Sequence, residues 1–195
     1  MKFCQGELYH VYNRGNNRQP IFFNPNNYLY FLDKVRSKIL PHCDVLNYCL
    51  MPNHFHFLIN SDERTCISKT VAGEERSVLS EAFRTLLSSY TQAINKQNST
   101  VGSLFQQNTK AKLIPKNRNL YDLLCFHYIH QNPMRANLVS RMEDWEYSSF
   151  RDYCGFRNET LCNKQLAEHL LNINMKTFYE DSYKITNGSA LKNIF

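Results

Sequence analysis

The stretch Cys49-Leu50-Met51-Pro52-Asn53-His54-Phe55-His56-Phe57-Leu58-Ile59 sets two histidines one residue apart inside an apolar run. Successive side chains of a strand point to opposite faces, so His54 and His56 share one face and Phe55 and Phe57 the other. Two imidazoles projecting side by side can act as adjacent metal ligands through their neutral nitrogens. Taken alone, a His-x-His pair is more often two ordinary strand histidines. A second constellation downstream reverses that judgement.

Working outward, residues 44–50 and 54–60 read as two strands joined by the Met51-Pro52-Asn53 turn. Upstream, residues 8–13 form a first strand candidate, ending in the turn-rich Arg14-Gly15-Asn16-Asn17-Arg18. Asn24 and Pro25 then open a helical pattern carried by Tyr28, Phe31, Leu32, Val35 and Ile39 and closed by Pro41. Residues 61–77 are polar and predict a loop, and 78–96 a long amphipathic helix with Leu79, Phe83, Leu86, Leu87, Tyr90 and Ile94 on one side. Short extended pieces at 103–106 and 110–114 complete a sheet, and 120–131 predicts a helix stopped near Pro133. This order points to an α+β domain, an antiparallel sheet with helices packed mainly on one face. After Tyr153 the pattern changes to two short helical segments, 163–172 and 175–183. The division expected is therefore a catalytic-type domain over 1–153 and a helical extension over 154–195, which either packs on the domain or reaches toward a partner.

The second constellation lies in the 120–131 helix. Tyr128 and Asn132 stand four apart, so on a continuous helix they face the same way. A phenol beside a carboxamide oxygen, laid over a strand bearing two imidazoles, offers one nucleophile and three metal ligands. Asn132 precedes Pro133, and a residue before proline is biased away from helical geometry. Asn132 is the preferred third ligand, with Gln131 as its substitute.

Composition sets the surroundings. Apolar residues make up 43% and charged residues 21% of the 195, an ordinary globular balance. No apolar run approaches the roughly 20 residues needed to cross a bilayer, and the first residues lack the apolar core of a secretory signal. A cytoplasmic protein with no membrane partner is expected. Seven cysteines, odd in number and without a Cys-x-x-Cys pair, suit reduced structural thiols rather than a zinc ribbon or disulfide framework. The net charge of +6 is concentrated toward the front: residues 1–60 hold six basic and three acidic side chains, residues 158–195 four of each. Such a bias suits a polyanionic partner without proving one.

Three segments together are more specific than the histidine pair. These are Tyr9-His10-Val11-Tyr12-Asn13-Arg14-Gly15-Asn16-Asn17-Arg18, then Leu50-Met51-Pro52-Asn53-His54-Phe55-His56-Phe57-Leu58-Ile59, then Tyr128-Ile129-His130-Gln131-Asn132-Pro133-Met134-Arg135-Ala136. In this order they resemble the HUH single-tyrosine transposases, and among these the REP-associated tyrosine transposases. The likeness runs from about residue 8 to 153 and includes Trp145-Glu146-Tyr147-Ser148-Ser149. It implies a ferredoxin-like sheet with the histidines on a central strand and the tyrosine on a nearby helix. Carried over by position, His54, His56 and Asn132 would hold Mg2+ or Mn2+ and Tyr128 would be the nucleophile, acting on single-stranded DNA beside a hairpin. Within the wider family dimers share active sites, whereas the REP-associated branch implies a monomer. One departure is that relatives often carry a Phe-Gln-Gly-Arg type stretch where this chain has Phe105-Gln106-Gln107-Asn108-Thr109-Lys110. That leaves Lys110 or Lys112 to take over a backbone contact.

A tyrosine with a pKa of about 10 is ionised in only about one molecule in a thousand at pH 7, so attack on a phosphodiester needs help with the proton and with the charge on phosphate. Two imidazoles and a neutral amide leave a cation open positions for phosphate and water. The resulting 5′-phosphotyrosine conserves bond energy for rejoining. Arg14, Asn16, Asn17 and Arg18 either read a hairpin and its phosphates or form a solvated turn, and Arg135 either clamps a phosphate or caps its helix. His127 and His130 are poor candidates for a general base. Two other functions compete with a transposase. A domesticated hairpin-binding protein would keep the fold and mobilise nothing, and a phosphodiesterase using water would survive loss of Tyr128.

Overall fold

The structure is a computed structural model that describes residues 1–71, 73–115, 121–158 and 161–184. Its elements in chain order are β1 (Leu8–Arg14), α1 (Pro25–Lys38), β2 (Asp44–Met51), β3 (His54–Asn60), α2 (Glu63–Cys66), β4 (Ser68–Val71) and β5 (Glu74–Ser77). They continue with α3 (Val78–Asn98), β6 (Lys110–Ile114), α4 (Tyr121–Arg135), α5 (Phe150–Tyr153), α6 (Lys164–Leu171) and α7 (Phe178–Lys184). Four strands form one sheet in the order β2-β3-β1-β6, every pair antiparallel, and β4 and β5 form a separate hairpin. The histidine strand β3 is thus internal, with β1 and β2 on either side.

Period-two alternation separates two faces. On one, Phe55 of β3 lies 5.4 Å from Phe31 of α1, and Phe57 stands 6.4 Å from Phe83 of α3, ring centre to ring centre. This face is the apolar core, sealed by the long helices. The other carries His54, His56 and Leu58 of β3, and Asn47 of β2 donates from Nδ2 to the Phe126 carbonyl of α4 at 2.7 Å. The α+β antiparallel arrangement is therefore as expected, but the helices divide between the faces rather than gathering on one. Buried Asn47, Cys49 and Leu58 on the histidine side would otherwise be left in water.

Caps fix the helix starts. Asn24 accepts from the Asn27 amide with Pro25 in the first turn of α1, and Ser77 accepts from the Ser80 amide at α3. The 61–77 segment is not a plain loop. Asp62 and Thr65 form a reciprocal capping box that closes α2, and Gly73, at φ +81°, turns the β4–β5 hairpin. Its strands carry no apolar alternation, which is why the pattern conceals them. The expected strand at 103–106 reduces to one bridge, Gly15 to Phe105. Gly15 is there because a Cβ would collide with the Gln19 carbonyl.

The helix expected over 120–131 begins at Tyr121, Leu120 lying outside the described residues, and it runs through Pro133 to Arg135. The described tail packs on the sheet domain. The Asn163 amide donates to Val45 O at 2.9 Å, and Leu161, Ala167, Leu171, Ile173 and Phe178 are buried. Residues 159–160 and 185–195 of the extension lie outside the described residues. No disulfide forms among the cysteines, and no described helix is long and apolar enough to cross a membrane.

Candidate active site

Residues directly opposite in an antiparallel pair share a face. Arg14 faces His54, Tyr12 faces His56 and Lys110, and His10 faces Lys112. The sheet thus collects His10, Tyr12, Arg14, His54, His56, Lys110 and Lys112 on the side that α4 covers. The His54 and His56 rings lie 4.9 Å apart, centre to centre, and nearly perpendicular at 87°. His54 Nδ1 is 2.6 Å from Asn53 Oδ1, and His56 Nδ1 is 2.8 Å from His10 Nε2. Tyr12 stacks on His10 at 4.7 Å.

Burial keeps these imidazoles neutral. It pushes His54 down to about 4, with help from the Arg14 guanidinium. It pushes His56 well below the usual range, with His10, His54 and Arg14 adding repulsion. His10 falls to about 3, mainly through burial and then through Lys112. The neutral ring is the form a metal ligand needs.

Tyr128 sits half-buried on α4, with the Arg135 guanidinium carbon 4.7 Å from its ring centre. Burial raises the phenol, Arg135 opposes that rise and Cys125 adds to it. Pro133 has no N–H to give the carbonyl of Ile129, four residues back. The Asn132 side chain compensates: its Nδ2 donates to Tyr128 O at 2.9 Å and to Ile129 O at 3.4 Å. Both partners are carbonyls that only accept, so the amide orientation is fixed and Oδ1 is the end left to accept or ligate. Asn132 also stays helical, since its own carbonyl receives the Ala136 amide at 2.9 Å. The pre-proline bias is overcome by the helix on both sides.

The opposite side of α4 is committed elsewhere. Gln131 Nε2 donates to Ser182 O at 2.8 Å, His127 Nδ1 lies 3.0 Å from Ser182 Oγ, and His130 Nε2 lies 2.8 Å from Ser149 Oγ. Burial lowers His127 to about 4 and His130 well below its usual value. Gln131 therefore faces α7, while Asn132 occupies the helical row of Tyr128.

Among the described residues no group of three or more His, Cys, Asp or Glu side chains is arranged to hold a metal ion. The candidate donor set is instead two neutral imidazoles and one amide oxygen. It fits a divalent cation, because the Nδ1 atoms of both histidines are already bonded within the protein. His54 Nε2 then carries a lone pair rather than a proton, and so does His56 Nε2 when His56 donates its Nδ1 proton to His10.

The predicted nucleic-acid residues are spread around this face. Arg14 is close enough to act electrostatically on both ligand candidates. Asn16 is stitched to the 103–104 segment, its Nδ2 donating to Ser103 O at 2.8 Å and its amide to Leu104 O at 3.0 Å. Asn17 and Arg18 are exposed at φ +51° and +59°, two successive left-handed residues. Lys110 and Arg135 are exposed, and half-buried Lys112 acts on His10 and Cys125. A groove of about 820 Å3 between α3 and the 102–109 segment is lined by Arg76, Arg84, Phe105 and Gln106, and by neither histidine nor Tyr128.

Sequence reasoning missed His10 and Asn53 as partners of the ligand candidates. The alternation His10, Tyr12, Arg14 along β1, against Tyr9 and Val11, was the available signal for the first. The second was only an asparagine beside a histidine.

No curated protein matches this sequence. A solved structure described as a "REP associates tyrosine transposase bound to a REP hairpin" shares its fold, with a TM-score of 0.56 at 16% identity over 83% of this chain and 87% of that one. The family model "Transposase IS200 like" matches residues 5–112, more than half of the 195 and including both histidines of β3 but stopping before Tyr128. The chain belongs to the IS200-like transposase family.

Proposed function

We propose that this protein is a metal-dependent, single-stranded DNA transposase that nicks and rejoins DNA beside a hairpin through Tyr128. The observation that carries this reading is the pairing of His54 and His56 on one face, each Nδ1 occupied, beneath the helix that bears Tyr128 and Asn132. The unit for this chemistry is residues 1–153, with α7 bracing α4 from behind. Held by His54, His56 and Asn132, Mg2+ or Mn2+ supplies Lewis-acid polarisation of the scissile phosphate.

The protein's own groups do the remainder. Tyr128 Oη attacks phosphorus, the bond to the 3′-oxygen breaks, and that oxygen takes up a proton. One phosphoester replaces another, so the bond energy is kept in a 5′-phosphotyrosine. Attack by a different 3′-hydroxyl reverses the step and joins new strands. Arg135, over the Tyr128 ring, favours the phenolate as the proton leaves. Arg14, Arg18, Lys110 and Lys112 neutralise backbone phosphates, and Asn16 and Asn17 shape the turn that meets the hairpin. The working unit is a monomer.

The test mixes the protein, a hairpin-bearing single-stranded oligonucleotide and Mn2+, then resolves products on a denaturing gel. A slow protein–DNA adduct that vanishes with chelator and in Tyr128→Phe is expected. Efficient cleavage by Tyr128→Phe would turn the reading into a water-using phosphodiesterase. Hairpin binding with no cleavage under any metal would turn it into a domesticated binder.

A further inference from the structure

Asn53 makes three bonds that join two parts of the site. Its carbonyl accepts from the Gly15 amide at 2.8 Å, its Nδ2 donates to Arg18 O at 3.1 Å, and its Oδ1 lies 2.6 Å from His54 Nδ1. The second bond fixes the third. A backbone carbonyl only accepts, so the NH2 end of the amide faces Arg18 and the oxygen end faces His54. An amide oxygen only accepts as well, so His54 must carry its proton on Nδ1. In the neutral ring that leaves Nε2 as a lone-pair donor.

From this we infer that Asn53 is a positioning residue: it locks His54 in the Nδ1–H tautomer and ties that lock to the exposed turn at residues 16–18. The tether ends on Arg18, which with Asn17 forms the left-handed pair of the turn. For a residue such as arginine this conformation is unfavourable and persists only where neighbours hold it. The Asn53 amide and the Leu104 carbonyl, which accepts from Asn16, are two such holds. A turn placed to touch DNA is thereby bonded, through one side chain, to a candidate ligand on β3. The inference rests on the reading of His54 as a metal ligand and adds to it the group that makes the ring competent.

The full chain without metal, labelled with 15N at histidine, reports the tautomer directly through long-range 1H–15N couplings. Mn2+ titration by calorimetry reports the consequence. Wild type is expected to show His54 as Nδ1–H. Asn53→Ala is expected to lose that signature and to bind Mn2+ about 10–100-fold more weakly, the usual cost of removing a ligand's hydrogen-bond partner. Asn53→Asp keeps an acceptor for His54, so it is expected to keep the Nδ1–H tautomer and to bind Mn2+ at least as well as wild type. Equal loss in Asn53→Asp and Asn53→Ala would mean that the asparagine only holds the turn, and would overturn the inference. An unchanged tautomer and affinity in Asn53→Ala would overturn it too. The underlying reading fails separately: if His54→Ala binds Mn2+ as tightly as wild type, His54 is no ligand.

Discussion

Two histidine pairs in this molecule share nearly every local property and differ in what surrounds them. His54 and His56 on β3, and His127 and His130 on α4, are all held neutral by burial, and each has a ring nitrogen within hydrogen-bond reach of a polar side chain. Around the second pair stand Phe126, Phe150, Tyr153 and Phe178, with the His130 ring 4.8 Å from Phe126 and the His127 ring 5.9 Å from Phe178. Arg14, Tyr12 and the Tyr128 helix surround the first. A buried histidine packed among aromatic rings and bonded to serine is part of the core, even though the Nδ1 of His130 is left without a partner among the described residues. Two that share a strand face with basic side chains, each bonded through Nδ1, have the arrangement on which the proposed metal site rests. The residue type alone does not separate the cases.

The sharpest break between the pairs is chemical. His54→Ala and His56→Ala should each lower metal-dependent cleavage at least about hundredfold, the factor given by about 2.7 kcal/mol of lost transition-state stabilisation. Hairpin affinity by fluorescence anisotropy should stay near wild type. Parallel loss of binding in both variants would give this pair, too, a structural role. For His130→Ala the expectation inverts: its buried ring and its bond to Ser149 are lost, destabilising the fold by about 4 kcal/mol in urea unfolding. The fraction still folded should cleave at the wild-type rate.

The pH dependence sharpens the same contrast. His127 is 2% exposed and its folded value of about 4 lies below the ordinary 6.5. The unfolded chain therefore takes up the proton first. Stability is complete above pH 6.5 and falls as pH drops from 6.5 toward 4, by about 3 kcal/mol for this group. His127→Asn should remove that portion of the slope in urea midpoints measured across the range; an unchanged slope would mean the ring is protonated in the folded state. A smaller effect separates Gln131 from its neighbour. Gln131→Ala should cost about 1–2 kcal/mol, leaving Ser182 O without its donor, and spare cleavage, whereas Asn132→Ala should cost a similar amount, its bonds to Tyr128 O and Ile129 O being lost, and abolish cleavage as well.

Much of this was legible beforehand, for reasons that follow the residues. The alternation in 54–60 gave β3 its limits and its two faces, because burial on both sides permits one register only. Capping asparagine and proline gave the start of α1. The β4–β5 hairpin was hidden because its exposed strands lack an apolar face. The reach of α4 through Pro133 was hidden because the repair is made by a side chain, Asn132, filling in for a missing backbone donor. The partners of the β3 histidines were out of sight for a different reason. His10 meets His56 only once β1 pairs with β3, and the proton on His54 is dictated by a carbonyl that belongs to a turn distant in sequence.

The most direct measurement is mass spectrometry of the peptide that carries trapped DNA. After reaction of the protein with a hairpin-bearing oligonucleotide and Mn2+, nuclease trimming and proteolysis should leave a nucleotide on Tyr128, joined through a 5′-phosphate. An adduct on any other residue, or a 5′-phosphate released into water with Tyr128 unmodified, would contradict the assignment of the phenol on α4 as the nucleophile served by the histidines of β3.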